Sequence, residues 1–225
     1  METSLHRQLK VHYARDESQI EVVLGDYRID AINGGRLIEI QHGSLAAIRD
    51  KIATLLQDHR VTVVKPIVAL KHLVKQDSRG GKVVTRRKSP KRGQLLDVFD
   101  ELVYFTRVFP HRRLLLEVAL VEVEELRYPG HGRRRRRRAN DFQVEDQRLV
   151  EILETFRFRT LADLRKMLPR GLPANFHTGH LAEGLSVRRH VAQKMAYCLR
   201  ETGAIHPVGK QGNAVLYSRR RQVAA

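Results

Sequence analysis

The residues best placed to do chemistry are Asp30 and Glu39. They stand on either side of Asn33-Gly34-Gly35 in the run Ile29-Asp30-Ala31-Ile32-Asn33-Gly34-Gly35-Arg36-Leu37-Ile38-Glu39-Ile40-Gln41. A glycine pair between β-branched runs predicts a hairpin. Side chains alternate along a strand, so Glu39 and Gln41 share one face while Ile38 and Ile40 point into the core. With Gly34-Gly35 as the turn, Asn33 opposes Arg36 and Asp30 opposes Glu39. With Asn33-Gly34 as the turn, Arg28 opposes Glu39 and Asp30 is a diagonal neighbour. In either register the two carboxylates lie on the same face, and their repulsion needs compensation. A divalent cation supplies it and keeps the waters that phosphodiester chemistry requires. The alternative is a cross-strand pair of Glu39 with Arg28 and a solvated Asp30. His42 follows, either as a phosphate contact or base, or as a polar residue ending the strand.

Cations are concentrated in three places. Arg79 to Gly93 holds Arg79, Lys82, Arg86, Arg87, Lys88, Lys91 and Arg92 and no acid. Its centre, Arg86 to Gly93, reads as a basic loop suited to backbone phosphates. Arg133 to Arg138 are six consecutive arginines, which lie along phosphates, enter a minor groove, or form a solubilising linker. Arg188, Arg189, Gln193 and Lys194 fall on one predicted helix, and Lys210 at the tip of a predicted hairpin.

The elements that position these residues follow from periodicity. Ser4 to Ala14 predicts a helix with Leu5 and Leu9 inward. Ile20–Leu24, Tyr27–Ile32 and Arg36–Gln41 predict strands. Ser44 caps a helix over Leu45 to Asp58. Val61 to Leu70 predicts a buried strand, Leu70 to Gln76 a further strand, Gln94 to Phe109 a helix, and Leu114 to Val123 an apolar strand. Pro129 to Gln143 reads as a linker. Beyond it, Leu149, Ile152, Leu153 and Phe156 recur at helical spacing. Thr160 caps a second helix, with Asp163 at its third position. A short helix over 178–183, a turn at 184–186 and a longer helix over 187–202 follow. Ser186 is the expected cap of that helix and Gly203 its stop. Strands over 205–208 and 214–218 close the chain.

The order helix, three strands, helix, strand, with Asp30 and then Glu39-Ile40, resembles the restriction-endonuclease-like, or PD-(D/E)XK, nuclease superfamily. The resemblance covers residues 4 to 70. It implies an α/β (α+β) N-terminal domain with a mixed sheet over 1–128. Asp30, Glu39 and the Ile40 carbonyl would then bind Mg²⁺ or Mn²⁺, with Glu2 near a second ion and Glu17 the weaker match for that role. Gln41 departs from the family lysine; an amide orients a water but supplies no charge. Lys51, on the following helix, is either its substitute or a solvated residue. The stretch 144–221 resembles a winged-helix domain, mostly α. That resemblance implies DNA contacts from Arg188, Arg189, Gln193, Lys194 and Lys210, beside Arg86, Arg87, Lys88, Lys91 and Arg92.

Composition bounds the rest. The 225 residues carry 42 Lys+Arg against 25 Asp+Glu, a net charge of +17, which favours polyanionic partners through counterion release. Aromatic content of 6% argues against base-stacking recognition of single-stranded RNA. One cysteine, Cys198, permits no internal disulfide, and no apolar run has the length of a membrane span. These features predict a cytoplasmic, nucleoid-associated protein without a membrane partner. The resemblance to nucleases and winged helices implies binding to duplex or branched DNA, and the nuclease resemblance allows a homodimer. The expected activity is metal-dependent DNA hydrolysis. The alternative, kept open by Gln41, is a non-catalytic DNA-binding regulator with a degenerate nuclease fold.

Overall fold

Gly34 and Gly35 both adopt positive φ, +54° and +69°, which a two-residue turn between twisted strands requires. The turn pairs Asn33 with Arg36 and Ala31 with Ile38. The first of the two registers is therefore the one formed. The computed structural model describes residues 2–130 and 141–219, and the arginine run 133–138 lies outside them.

The chain is α+β, with a large mixed sheet and, among the described residues, six α-helices. Helix α1 (Ser4–Tyr13) starts at Thr3, whose hydroxyl accepts the His6 N–H. It is followed by β1 (Ile20–Leu24), β2 (Tyr27–Asn33) and β3 (Arg36–Ile40). Ser44 caps a 3-10 turn, Leu45–Ile48, that runs into α2 (Arg49–Leu55). Then come β4 (Arg60–Gln76), β5 (Val83–Lys88), α3 (Val98–Leu102), β6 (Leu114–Pro129) and β7 (Phe142–Phe158). The C-terminal elements are α4 (Leu161–Arg165), β8 (Asn175–Phe176), α5 (Thr178–Gly184), α6 (Arg189–Glu201), β9 (His206–Gln211) and β10 (Ala214–Ser218).

The large sheet runs β1-β2-β3-β4-β6-β7, with β5 paired to the far end of β4. Two compact units divide the residues. The first draws on Met1–His42, Lys65–Leu95 and Val118–Thr155, the second on Gly43–Val64, Leu96–Glu117 and Phe156–Ala225. In the first unit, α1 packs on β2 and β3. Leu5 and Leu9, at i and i+4, are fully buried, as are Ile29 and Ala31. In the second, the small sheet runs β8-β10-β9, and α6 packs on α5 and α3. Ala192, Met195, Ala196, Cys198 and Leu199 form the buried stripe of α6, and the Cys198 thiol donates to the Phe99 carbonyl at 3.7 Å.

Several elements differ from the sequence reading. Residues 149–156 are part of strand β7, not a helix. Their apolar spacing fits helical period, yet this strand ends the sheet, where neither face is closed enough to impose a two-residue alternation. The stretch read as a linker, 129–143, joins hydrogen-bonded neighbours β6 and β7. At its ends Gly130 N–H donates to the Asp141 carbonyl at 3.2 Å, and the Tyr128 hydroxyl to Gln143 Oε1 at 2.5 Å. Arg86, Arg87 and Lys88, expected in a loop, lie on β5; only Ser89 to Gly93 remain outside a strand. The strands predicted over 61–70 and 70–76 are one continuous strand. Ser186 does not cap α6. It occupies the preceding turn at φ +53°, and the N-cap of α6 is Arg188, which makes no side-chain cap bond.

Candidate functional site

The register sets a row of acids across three strands. Pairing of Ile20 with Ala31 and Val22 with Ile29 puts Glu21 opposite Asp30, and the β2–β3 pairing runs to Ala31 with Ile38, the residues next to Asp30 and Glu39. Helix α1 supplies what compensates them. His6 and Lys10 lie one turn apart on α1, four and eight residues after Glu2, which just precedes the N-cap, and that spacing was the available signal for His6 and Lys10, which the sequence reading missed. Lys10 Nζ lies 2.7 Å from Glu2 Oε1, 2.7 Å from Glu21 Oε1 and 3.5 Å from Asp30 Oδ1. His6 Nε2 lies 3.3 Å from Asp30 Oδ1 and 3.7 Å from Glu2 Oε1. The Ile40 N–H donates to Asp30 Oδ2 at 2.8 Å. Arg28 pairs with Glu21 at 3.0 Å. Asp30 is part-buried and Glu39 buried, so the exposed acidic face implied by the alternation is instead covered.

The electrostatics follow from these contacts. Burial opposes ionisation of Asp30, but the His6 hydrogen bond, the Ile40 N–H and the charges of His6 and Lys10 outweigh it. They hold the Asp30 carboxyl below the usual range. Burial likewise opposes the Lys10 charge, yet Glu2, Glu21 and Asp30 push its pKa above the ordinary value. His42 behaves differently. Burial, then the charges of His6 and Lys65, lower its pKa to about 4, so its imidazole is neutral near pH 7. Its ring lies 5.9 Å from that of His6, and its Nε2 is buried without a hydrogen-bond partner among the described residues. Its carbonyl accepts from Lys65 Nζ at 2.9 Å.

This geometry does not fit the expected Mg²⁺ or Mn²⁺. An ammonium group already sits among Glu2, Glu21 and Asp30, and the second oxygen of Asp30 takes a backbone N–H. Glu2, expected near a second ion, pairs with Lys10. Among the described residues, no three His, Cys, Asp or Glu are grouped to hold a metal ion. Of the expected site residues, Glu2 and Asp30 belong to this ion-paired cluster, while Glu39 is buried on β3. Gln41 is part-buried just beyond β3, and Lys51 lies on α2, among the residues of the second unit.

A second candidate surface lies on α6 and the β9–β10 hairpin. The N-terminus of α5 is built by His177, whose Nδ1 accepts the N–H groups of Gly179 at 3.0 Å and His180 at 3.3 Å. The rings of His177 and His180 stack at 3.8 Å. The turn after α5 delivers Arg188 and Arg189 to the exposed start of α6. His190, Gln193 and Tyr197 continue that exposed face, opposite the buried stripe. Lys210 is exposed near the hairpin tip. Lys194, expected to be available, is tied to Asp100 of α3 at 2.8 Å. On the first unit, Arg87, Lys88, Lys91 and Arg92 are exposed, while Arg86 pairs with Glu124 at 2.6 Å.

The sequence matches, over residues 3–159, the family model described as Domain of unknown function (DUF8091). The chain belongs to this family. The match includes α1, the acid row and β7, and ends before α4. An uncharacterized protein of Treponema pallidum (strain Nichols) is 29% identical over 218 residues, covering 96% of this chain and 84% of that protein. That similarity therefore extends beyond the family match and through α6. No solved structure matches. No helix among the described residues is long and apolar enough to cross a membrane.

Proposed function

We propose that this DUF8091 protein binds duplex DNA through α6 and the β9–β10 hairpin, with its nuclease-like sheet in a non-catalytic role. The observation carrying the proposal is the outward face of α6, where Arg188, Arg189 and Gln193 stand exposed opposite a buried apolar stripe. The order α4, β8, α5, α6, β9, β10, with sheet order β8-β10-β9, resembles a winged helix. In such domains the second helix of the helix-turn-helix enters the major groove. Arginine suits guanine O6 and N7 there, and glutamine suits adenine N6 and N7. Lys210 on the wing suits backbone phosphate, as do Arg87, Lys88, Lys91 and Arg92. The net charge of +17 supplies the sequence-independent attraction.

A non-catalytic role is favoured because Lys10 and His6 already balance Asp30. Binding of a labelled duplex, followed by anisotropy at several salt concentrations, tests the proposal. Arg188→Ala with Arg189→Ala should weaken binding about tenfold or more and reduce the salt slope by roughly one for each phosphate that is no longer neutralised. Unchanged affinity overturns the role of α6. Plasmid incubated with Mg²⁺ should stay intact. Nicking that Asp30→Ala abolishes would restore the endonuclease reading.

A further inference from the structure

We propose that two copies of this chain pair through β7, antiparallel about a two-fold axis at Glu151, joining their large sheets. β7 ends the strand order, with β6 on one side and, among the described residues, no strand on the other. An end strand presents main-chain groups outside the ladder and is a template for another strand. This one runs from Phe142 to Phe158, with Val144, Val150 and Leu153 exposed along it.

Charge order identifies the occupant as a second copy. Reversed about Glu151, the strand is complementary to itself. Arg148 falls opposite Glu154, Glu145 opposite Arg157, Leu149 opposite Leu153, and Val150 opposite Ile152. A two-fold axis makes each of these pairs twice. The like pair in this stretch is Glu151 with its own copy, on the axis. The neighbouring registers lose that pairing: an axis at Val150 would set Asp146 against Glu154, and an axis at Ile152 would set Arg148 against Phe156 and Glu154 against Val150, so charge favours the axis at Glu151.

The in-chain contacts leave the central pair open. Glu151 and Glu154 are exposed, with no cation paired to them among the described residues. Among the described residues, the ion pair of Arg148 is with Asp146, at 3.7 Å. Arg157 and Glu145 already bind Glu117 and the Gly80 N–H, so the two Arg148–Glu154 pairs carry the electrostatic share. Helix α1 touches this edge at its first half, where the Ser4 N–H donates to Asp146 Oδ1 and the Leu149 N–H donates to Gln8 Oε1, each at 2.8 Å, and both contacts must open for the strands to pair along their full length.

Sedimentation of the full chain over a range of concentrations, with single-cysteine cross-linking, tests this. The native Cys198 is buried and does not interfere. Glu151→Cys should cross-link to its own copy on mild oxidation, because directly opposed Cα atoms lie about 4.5–5.5 Å apart. Glu154→Cys should not, its copies being six residues apart, or roughly 20 Å. Arg148→Glu should weaken the dimer about tenfold or more, and Arg148→Glu with Glu154→Arg should restore it. Should Arg148→Glu fail to fold, the cysteine pair still decides. A monomer at every concentration overturns the proposal. So does a dimer indifferent to Arg148→Glu, or cross-linking at 154 in place of 151.

Discussion

Lys10 gathers Glu2, Glu21 and Asp30 around one ammonium group whose side chain is almost wholly buried. Removing one partner of such a cluster leaves the others as uncompensated charge in a poorly solvated place. Lys10→Met should therefore cost about 3–5 kcal/mol of stability near pH 7. The pH dependence has a definite sign. Asp30 is held below its ordinary pKa, so its contribution is present above roughly pH 4 and is lost as pH falls through the folded value. Lys10 is held above its ordinary pKa, so its contribution is present below about pH 10 and is lost as pH rises through the folded value. The variant's deficit should be widest on the plateau between these limits and should shrink below about pH 4, where the carboxylates protonate and no longer need the ammonium. Urea unfolding of both proteins across that range checks it. A deficit constant from pH 3 to pH 7 would mean that Lys10 contributes packing alone.

At the scale of elements, helix α5 depends on one histidine cap. A Cβ added at Gly179 would fall 2.7 Å from His177 Cε1, so the ring must leave the two N–H groups it accepts. Gly179→Ala should cost about 1–2 kcal/mol, the usual worth of an N-cap, despite alanine's better helix propensity. A thermal melt that shows no loss would mean another group takes the cap. The cap also marks where sequence reading succeeds and fails. Signals confined to a few neighbours were legible. The hairpin at Gly34-Gly35 was legible, with its register left between two choices; Thr160 with Asp163 formed the expected capping box, and Gly203 follows the end of α6. What depends on distant strands was not. Leu149, Ile152, Leu153 and Phe156 fit a helix locally, and only pairing with β6 makes them a strand. Lys10 meets Glu21 and Asp30 because α1 lies over β2 and β3, a packing that no local pattern encodes. Lys194 reads as a free cation until Asp100 closes on it.

For the whole molecule, the excess of cations separates two kinds of nucleic-acid contact that a single affinity would confuse. Phosphate contacts release counterions whatever the sequence, so they set the slope of log affinity against log salt. Base contacts change which duplex is preferred and need contribute little to that slope. On the proposed DNA-binding reading, the six arginines from 133 to 138 would make the first kind of contact, since a homopolymeric run offers no ordered pattern to match against base edges. Arg189 and Gln193, held on a folded helix, would make the second. Replacing Arg133–Arg138 by serines should lower affinity for all duplexes by a similar factor, with a slope shallower by up to about five. Arg189→Ala should change the slope by no more than about one while narrowing the gap between preferred and random duplexes. Titrations of both variants against a selected duplex and a random pool, at three or more salt concentrations, measure each quantity separately. If the serine variant alters preference and leaves the slope alone, the arginine run reads bases, and charge and recognition are not divided between these segments.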